Sequence, residues 1–318
     1  MKDLYGREIN YLRLSVTDRC NLRCRYCMPS GGVCQKKHED MLTEDEMVQA
    51  VTAATSLGIS KLRLTGGEPL VQKNILSICE RCAAVPGIKE LCITTNGILL
   101  PRMAKQLRSA GVDRLNISLD TLDEDKYAHI TRIGTLHTAE EGFHAALDAG
   151  FSQIKINAVL IGGFNDDEIS SLAALTLRYP VDVRFIELMP MLGNEEFGYD
   201  AYLPCDAVLK CLPELKPVET QAGCVTKLYQ LPHAQGNVGL ISAVSNCFCS
   251  GCNRIRLTAD GKLKPCLHSD QEYFIKGLNY EEMRCEIERT ILSKPPYHLH
   301  LSAEDRSCTQ RSMSQIGG

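Results

Sequence analysis

The chain of 318 residues contains no run approaching 18 consecutive apolar residues, so a membrane-spanning helix is not expected. Its opening stretch, Met1-Lys2-Asp3-Leu4-Tyr5-Gly6-Arg7-Glu8, has no apolar core and does not read as a secretory signal. An excess of positive charge is also missing. Against 39 acidic residues stand 35 lysines and arginines, a net charge of −4, and nothing global points to nucleic acid. Short-period repeats and low-complexity tracts are absent. At 44% hydrophobic and 23% charged residues, the composition is that of an ordinary globular protein, one large domain or a domain with an appendage. An anionic substrate would have to be held by local basic clusters.

Cysteine, by contrast, is abundant, with sixteen in the chain. Without an export signal these argue against a disulfide framework and for metal–sulfur chemistry in a reducing compartment, the cytoplasm. Cys20, Cys24 and Cys27 form a C-x3-C-x2-C group directly after a strand-like segment, 11–16. Thiolates this close on a loop converge on one inorganic centre. Tetrahedral zinc and a four-cysteine iron–sulfur cluster each want a fourth ligand, and none follows at a matching spacing. A cubane held by three cysteines leaves one iron open to something other than protein. A zinc knuckle completed by a distant residue is the alternative.

A second triad, Cys249, Cys252 and Cys266, repeats the omission, with the turn Asp260-Gly261 between its halves. Arg254 and Arg256 beside it would draw an anion or a purine. Cys247, two residues before Cys249, is a candidate fourth ligand, and a structural zinc ribbon is the competing reading. Cys79-x-x-Cys82 lies in a helical pattern and reads as buried helix cysteines. Cys34, Cys92, Cys205, Cys211, Cys224, Cys285 and Cys308 are isolated and read as inert, and His298-x-His300 as surface or packing.

From Tyr11 to about Leu188, strand-like runs at 11–16, 61–65, 90–95, 114–119, 153–161 and 182–188 alternate with helical patterns. Thr43-x-x-Glu46 is expected to open one helix and Gly58 to close it; Thr138-x-x-Glu141 and Gly150 are expected to bound another. Six such units imply a parallel sheet with right-handed crossovers, two units short of a closed eight-unit barrel. Leu12, Leu14 and Val16 alternate with Arg13 and Ser15; Leu62 and Leu64 with Lys61, Arg63 and Thr65; Asn116, Ser118 and Asp120 form a further polar face. In a sheet flanked by helices the polar set lines the interior. Strand 182–188 shows no clean alternation. Gly66-Gly67-Glu68-Pro69, ending the second strand, lets a ligand approach the backbone and offers a carboxylate to an amine. Beyond Pro190 the pattern loosens, and 191–240 reads as a connecting segment. The expected division is therefore 1–190 and 191–318.

With Cys20, Cys24, Cys27 and Gly66-Gly67-Glu68-Pro69, the chain resembles the radical S-adenosylmethionine (SAM) enzymes. With Cys249, Cys252, Cys266, Asn253-Arg254-Ile255-Arg256 and the terminal Met313-Ser314-Gln315-Ile316-Gly317-Gly318, it is similar to one family among them, the GTP 3′,8-cyclases of molybdenum cofactor biosynthesis. That resemblance implies a partial (β/α)6 TIM barrel with a C-terminal extension carrying a second cluster, and a 4Fe–4S cluster at each end of a shared cavity. It implies SAM on the first open iron and a 5′-deoxyadenosyl radical that takes the 3′ hydrogen of GTP. The product would be (8S)-3′,8-cyclo-7,8-dihydroguanosine 5′-triphosphate, with guanine held on the second open iron.

Carried over by position, the resemblance assigns SAM contacts to Tyr26, Gly67, Ser118 and Met189, with Asn116 and Glu68 as additions. It assigns GTP contacts to Arg13, Arg63, Thr94, Lys155, Arg184, Arg254, Ile255 and Arg256, and a catalytic tail to Gly317 and Gly318. A reductant protein and a homodimer partner are implied as well. The segment 31–40 and Gln72 depart locally from the family pattern. A radical SAM peptide-modifying enzyme and a non-catalytic zinc or iron–sulfur protein are the competing readings.

Overall fold

The computed structural model describes residues 1–33, 36–151, 153–192, 196–219, 225–298, 301 and 307–317. In chain order the elements are β1 (Tyr11–Ser15), α1 (Glu44–Ser56), β2 (Lys61–Thr65), α2 (Ile75–Ala83), β3 (Glu90–Thr95), α3 (Leu100–Ser109), β4 (Arg114–Ser118), α4 (Glu124–Thr131), α5 (Leu136–Asp148) and β5 (Gln153–Leu160). Then follow α6 (Ile169–Ala173), α7 (Leu175–Arg178), β6 (Val181–Glu187), α8 (Asp206–Cys211), β7 (Lys216–Val218), β8 (Lys227–Gln230) and β9 (Val238–Ile241). The chain closes with β10 (Arg254–Leu257), β11 (Lys262–Lys264), β12 (Tyr273–Phe274), α9 (Tyr280–Leu292) and α10 (Met313–Ile316).

The six strands expected from the alternation are all present, and β1 to β6 pair in sequence order, each parallel to the next. The capping box before α1 forms as read. Thr43 accepts from the Glu46 N–H and Glu46 accepts from the Thr43 N–H at 2.8 Å, and Gly58 follows the helix at φ +91°. The second box does not form. Helix α5 starts at Leu136, before Thr138, whose hydroxyl shares a hydrogen with Thr135 at 2.8 Å. Thr135, with extended backbone, takes the cap position, because Leu136 must bury under the sheet.

The core lies between this sheet and its helices. Leu12, Leu14, Leu62, Leu64, Leu115 and Ile117 are essentially fully buried there, each worth roughly 1.5–3 kcal/mol relative to exposure. Cys79 and Cys82 are buried in the same core on α2, as the helical pattern indicated. β6 does alternate, contrary to expectation: Val181, Val183 and Phe185 are buried while Asp182, Arg184 and Ile186 face the other way. A polar residue that points into the lumen breaks a hydropathy pattern without breaking the pleat.

The segment 191–240 is more than a connection. It holds α8 and β7 to β9, and β9 pairs parallel to β6. On the other edge β10 pairs parallel to β1. The C-terminal region thus extends both edges of the six-stranded sheet, and antiparallel ribbons, β8–β7 and β11–β12, cover the new edges. Among the described residues β9 and β10 do not pair, so the sheet stays open. No described helix is long and apolar enough to cross a membrane.

Candidate active site

The carboxyl ends of the strands carry the first triad. β1 passes through 17–19 into the cysteine loop, and β2 ends on Gly66-Gly67 beside it. A Cβ on Gly67 would stand 2.3 Å from the Arg19 carbonyl oxygen, while the Gly67 and Glu68 amides donate to Thr17 and Arg19 at 2.8 Å. The glycine pair is therefore required first by backbone against backbone, to dock the cysteine loop on the sheet. Arg132, at φ +66°, donates to the carbonyls of Arg23 (2.6 Å) and Met28 (3.0 Å) and closes the loop from the other side.

Carboxylates surround these thiols. Glu68 is fully buried and its carboxylate already accepts from Leu70 N–H (3.0 Å), Thr95 Oγ1 (2.7 Å) and Asn96 N–H (2.7 Å). Burial still pushes its pKa up to about 7. Asp120 is pushed up to about 6 by burial, while accepting from Tyr26 Oη at 2.7 Å and the Val159 N–H at 2.8 Å. Burial and neighbouring thiols raise Cys24 well above its ordinary value and push Cys27 up to about 12. Thiols this hard to ionise need a cationic centre to become thiolates, which a cluster's iron would provide.

The second triad differs at Cys252, while burial raises Cys266 as it does Cys24 and Cys27. Burial alone would raise the Cys252 thiol, but the Arg254 and Lys294 cations bring it down to about 6. Lys294 is buried and donates to the carbonyls of Arg254 (2.9 Å) and Pro265 (2.8 Å). Arg7, paired with Asp3 at 2.6 Å, donates to the Cys249 carbonyl at 2.9 Å and to the backbone of 294–296. The N-terminus thus pins this end. Cys247 Sγ lies 3.1 Å from Cys249 Sγ and 3.5 Å from His298 Nε2. His298, expected at the surface or in packing, lines the cavity instead.

One cavity joins the two ends, lined by all six cysteines and by Arg13, Arg63, Thr94, Arg254 and Arg256. Register sets Arg256, Arg13 and Arg63 side by side on β10, β1 and β2. Four lining residues hold buried polar atoms without a partner: Arg13 Nε, Arg63 Nε, Thr94 Oγ1 and Asn157 Oδ1. Arg184 Nε and both amide atoms of Asn116 add to them on β6 and β4, the two strands paired to β5. Orphaned donors and acceptors at this density imply a polar ligand. Burial and Arg256 hold Arg13 well below its ordinary pKa; burial, then Arg63 and Arg114, bring Arg184 down to about 10. An anion would relieve that repulsion.

Of the residues carried over from the resemblance, Tyr26, Gly67, Glu68, Ser118 and Met189 line the cavity with the first triad. Lys155 lies on the lumen face but donates to Asp182 at 2.7 Å, so its charge is partly spent. Ile255 is set apart: fully buried beside Leu12 in the core, it presents no side chain to the lumen. Gly317 reaches the lumen. Arg256 Nη1 donates to its carbonyl, the Ser314 N–H donates to Cys27, and a Cβ on Gly317 (φ +86°) would stand 2.2 Å from Thr65 Oγ1. The tail is anchored upstream, where Arg311 donates to Asp260 (3.0 Å) and Glu272 (2.9 Å). Gly318, Cys34, Cys224 and His300 lie outside the described residues. The sequence reading missed Asp120 as a polar anchor, and also Arg114, Arg7, Lys294 and Arg311. Asp120 was legible as part of a polar face; the others had no local signal.

The Radical SAM superfamily model matches residues 14–176, and Molybdenum Cofactor Synthesis C matches 181–299. A GTP 3′,8-cyclase of Alkaliphilus oremlandii is 48% identical over 321 residues, covering all of both chains. One of Pelotomaculum thermopropionicum is 47% identical over 329 residues, again covering all of both. Among solved structures, Streptococcus suis SuiB superposes with a TM-score of 0.62 at 14% identity, over 87% of this chain and 68% of that one, a likeness of fold. Two thiol triads facing one cavity, on a parallel sheet completed by its own C-terminal strands, agree with these matches, and the chain belongs to the GTP 3′,8-cyclase family of the radical SAM superfamily.

Proposed function

We propose that this protein is a GTP 3′,8-cyclase, converting GTP to (8S)-3′,8-cyclo-7,8-dihydroguanosine 5′-triphosphate at the first step of molybdenum cofactor biosynthesis. The observation that carries the reading is the charge division of one cavity. Carboxylates (Glu68, Asp120) surround one triad, and cations (Arg254, Arg256, Lys294) surround the other. SAM is a sulfonium with an ammonium group, GTP a polyanion; each fits one end.

Cys20, Cys24 and Cys27 would hold the first 4Fe–4S cluster, and Cys249, Cys252 and Cys266 the second. When bound, the clusters and SAM supply the one-electron chemistry that removes the 3′ hydrogen of GTP and an open iron for the guanine. The chain's own residues do the rest. Tyr26, oriented by Asp120, with Gly67, Ser118, Met189 and Glu68, lines the SAM end, and Asn116 lies on the same polar face of β4 as Ser118. Arg13, Arg63, Arg184, Arg254 and Arg256 neutralise the triphosphate, with Thr94 and the paired Lys155 as further donors. The Gly317 carbonyl orients Arg256, Gly317 occupies space that no side chain could share, and the Gly317-Gly318 tail assists catalysis. Region 1–190 carries the first triad and Arg13, Arg63, Thr94, Lys155 and Arg184, and region 191–318 adds the second triad with Arg254 and Arg256. A cytoplasmic setting, a reductant protein and a homodimer belong to the same reading.

Anaerobic incubation with SAM, dithionite and GTP deuterated at C3′ tests it. The expected product is an isomer of GTP, with the C3′ deuterium recovered in 5′-deoxyadenosine. SAM cleavage that leaves the deuterium in intact GTP would overturn it.

A further inference from the structure

Three side chains near the second triad are arranged for something smaller than a cubane. The ligand atoms of Cys247, Cys249 and His298 all lie within 4.8 Å of one another. A tetrahedral ion with metal–sulfur bonds of about 2.3 Å and metal–nitrogen bonds of about 2.0–2.1 Å sets its sulfur–nitrogen edges near 3.5 Å and its sulfur–sulfur edges near 3.8 Å. Cys247 Sγ and His298 Nε2 stand 3.5 Å apart, on that edge. The Cys247–Cys249 pair, at 3.1 Å, needs to open by about 0.7 Å to reach that edge. The donor set, two thiolates and an imidazole, is soft to borderline and suits zinc or ferrous iron over magnesium or calcium. Cys249 and His298 face the cavity and Cys247 is exposed, so a fourth position stays open to water. The His298 ring leans on His268 with centroids 4.7 Å apart, which limits its rotation.

We propose that Cys247, Cys249 and His298 form a mononuclear site for a soft divalent cation of the zinc type, and that this ion and the second cluster exclude one another because both need Cys249. The site stands on its own geometry; the exclusion rests on the proposed role of Cys249, Cys252 and Cys266. A cation bound here holds segment 247–249 against 298 while withholding one cluster ligand. Loading the second centre then requires sulfide and iron to displace it.

The first arm uses the full chain carrying C252A and C266A, with the first triad reconstituted, titrated with Zn²⁺ against a chelator. One zinc is expected, with X-ray absorption giving two sulfurs at about 2.3 Å and a histidine nitrogen at about 2.0–2.1 Å. Adding C247A or H298A lowers the affinity by at least about 100-fold, since loss of an outer-shell partner alone costs about 10–100-fold. Zinc binding indifferent to both substitutions overturns the site. Fe²⁺ without sulfide binds more weakly than Zn²⁺; the reverse order overturns the tetrahedral assignment. In the second arm the unsubstituted chain is reconstituted with and without equimolar Zn²⁺. Zinc lowers the iron from about eight to about four per chain, and C247A restores it. Iron unaffected by zinc overturns the exclusion. About four irons even without zinc sinks the second-cluster reading, while the first arm still decides the cation site. Should C252A/C266A unfold by circular dichroism, the second arm with C247A and H298A decides.

Discussion

The two ends of the cavity hold the same three-thiol donor set in opposite electrostatic surroundings. Around Cys20, Cys24 and Cys27 the neighbours are Glu68 and Asp120, and burial and the neighbouring thiols keep Cys24 and Cys27 protonated. Around Cys249, Cys252 and Cys266 the neighbours are Arg254 and Lys294, whose charges bring the Cys252 thiol down to about 6 while burial still raises Cys266. Cysteine spacing alone therefore does not say what each open position accepts. Of the residues that decide it, Arg254 is a near neighbour in the chain, whereas Glu68 and Asp120 follow β2 and β4 and Lys294 follows α9.

The sharpest break of the comparison is Cys24→Ser against Cys252→Ser. Each halves the iron, from about eight to about four per chain. C24S is expected to abolish SAM cleavage, whereas C252S keeps slow cleavage and yields no cyclised product; chromatography of 5′-deoxyadenosine and product separates the two. Equal loss of cleavage in both would erase the division of roles. Next comes the tail. Removing Gly317 and Gly318, or Gly317→Ala with its 2.2 Å contact to Thr65, should cut turnover by at least about 100-fold, with circular dichroism unchanged. Full activity of the truncated chain sinks this.

Arg63→Ala should weaken GTP binding by about 10–150-fold, the value of one charge-assisted hydrogen bond, and leave SAM binding unchanged in calorimetry. Asp120→Asn should do the reverse, weakening SAM by about 10-fold or more through one lost charge in a buried site. It should also flatten a pH dependence. Burial raises the folded Asp120 pKa to about 6, above the unfolded value near 3.9, so its contribution to stability is complete below about pH 4 and lost as pH climbs through 6. A cationic ligand favours the ionised form, so SAM affinity should rise between about pH 5 and 7; a flat profile in the parent protein contradicts the assignment. The smallest effect belongs to neither end. Cys79→Ala should leave iron and activity untouched and cost about 1 kcal/mol of stability.

Much of this was legible in the residues. The strands at 61–65 and 90–95, the polar faces carrying Arg13 and Arg63, and the capping box of α1 follow from period-two alternation and local hydrogen bonding. Arg184 was obscured because its strand mixes a buried Glu187 with a half-buried Ile186, so hydropathy no longer tracks the pleat. The cap at Thr135 was hidden because the Thr-x-x-Glu pattern falls on Thr138 and Glu141 and not on Thr135, and burial of Leu136 overrides it. Ile255 was swept in between two arginines, although a strand turns every second side chain away from the lumen.

By itself the sequence determined the thiols, their spacing, the six alternating units and the terminal glycines, because these are local: ligand identity, pleat and turn depend on neighbours in the chain. Only the tertiary structure decided that β9 and β10 extend the sheet, that Arg7 and Lys294 hold the second triad, that Arg311 anchors the tail and that Cys247 meets His298. Those pairs join residues tens to hundreds of positions apart, and no periodicity spans such a distance. Packing around one cavity sets them.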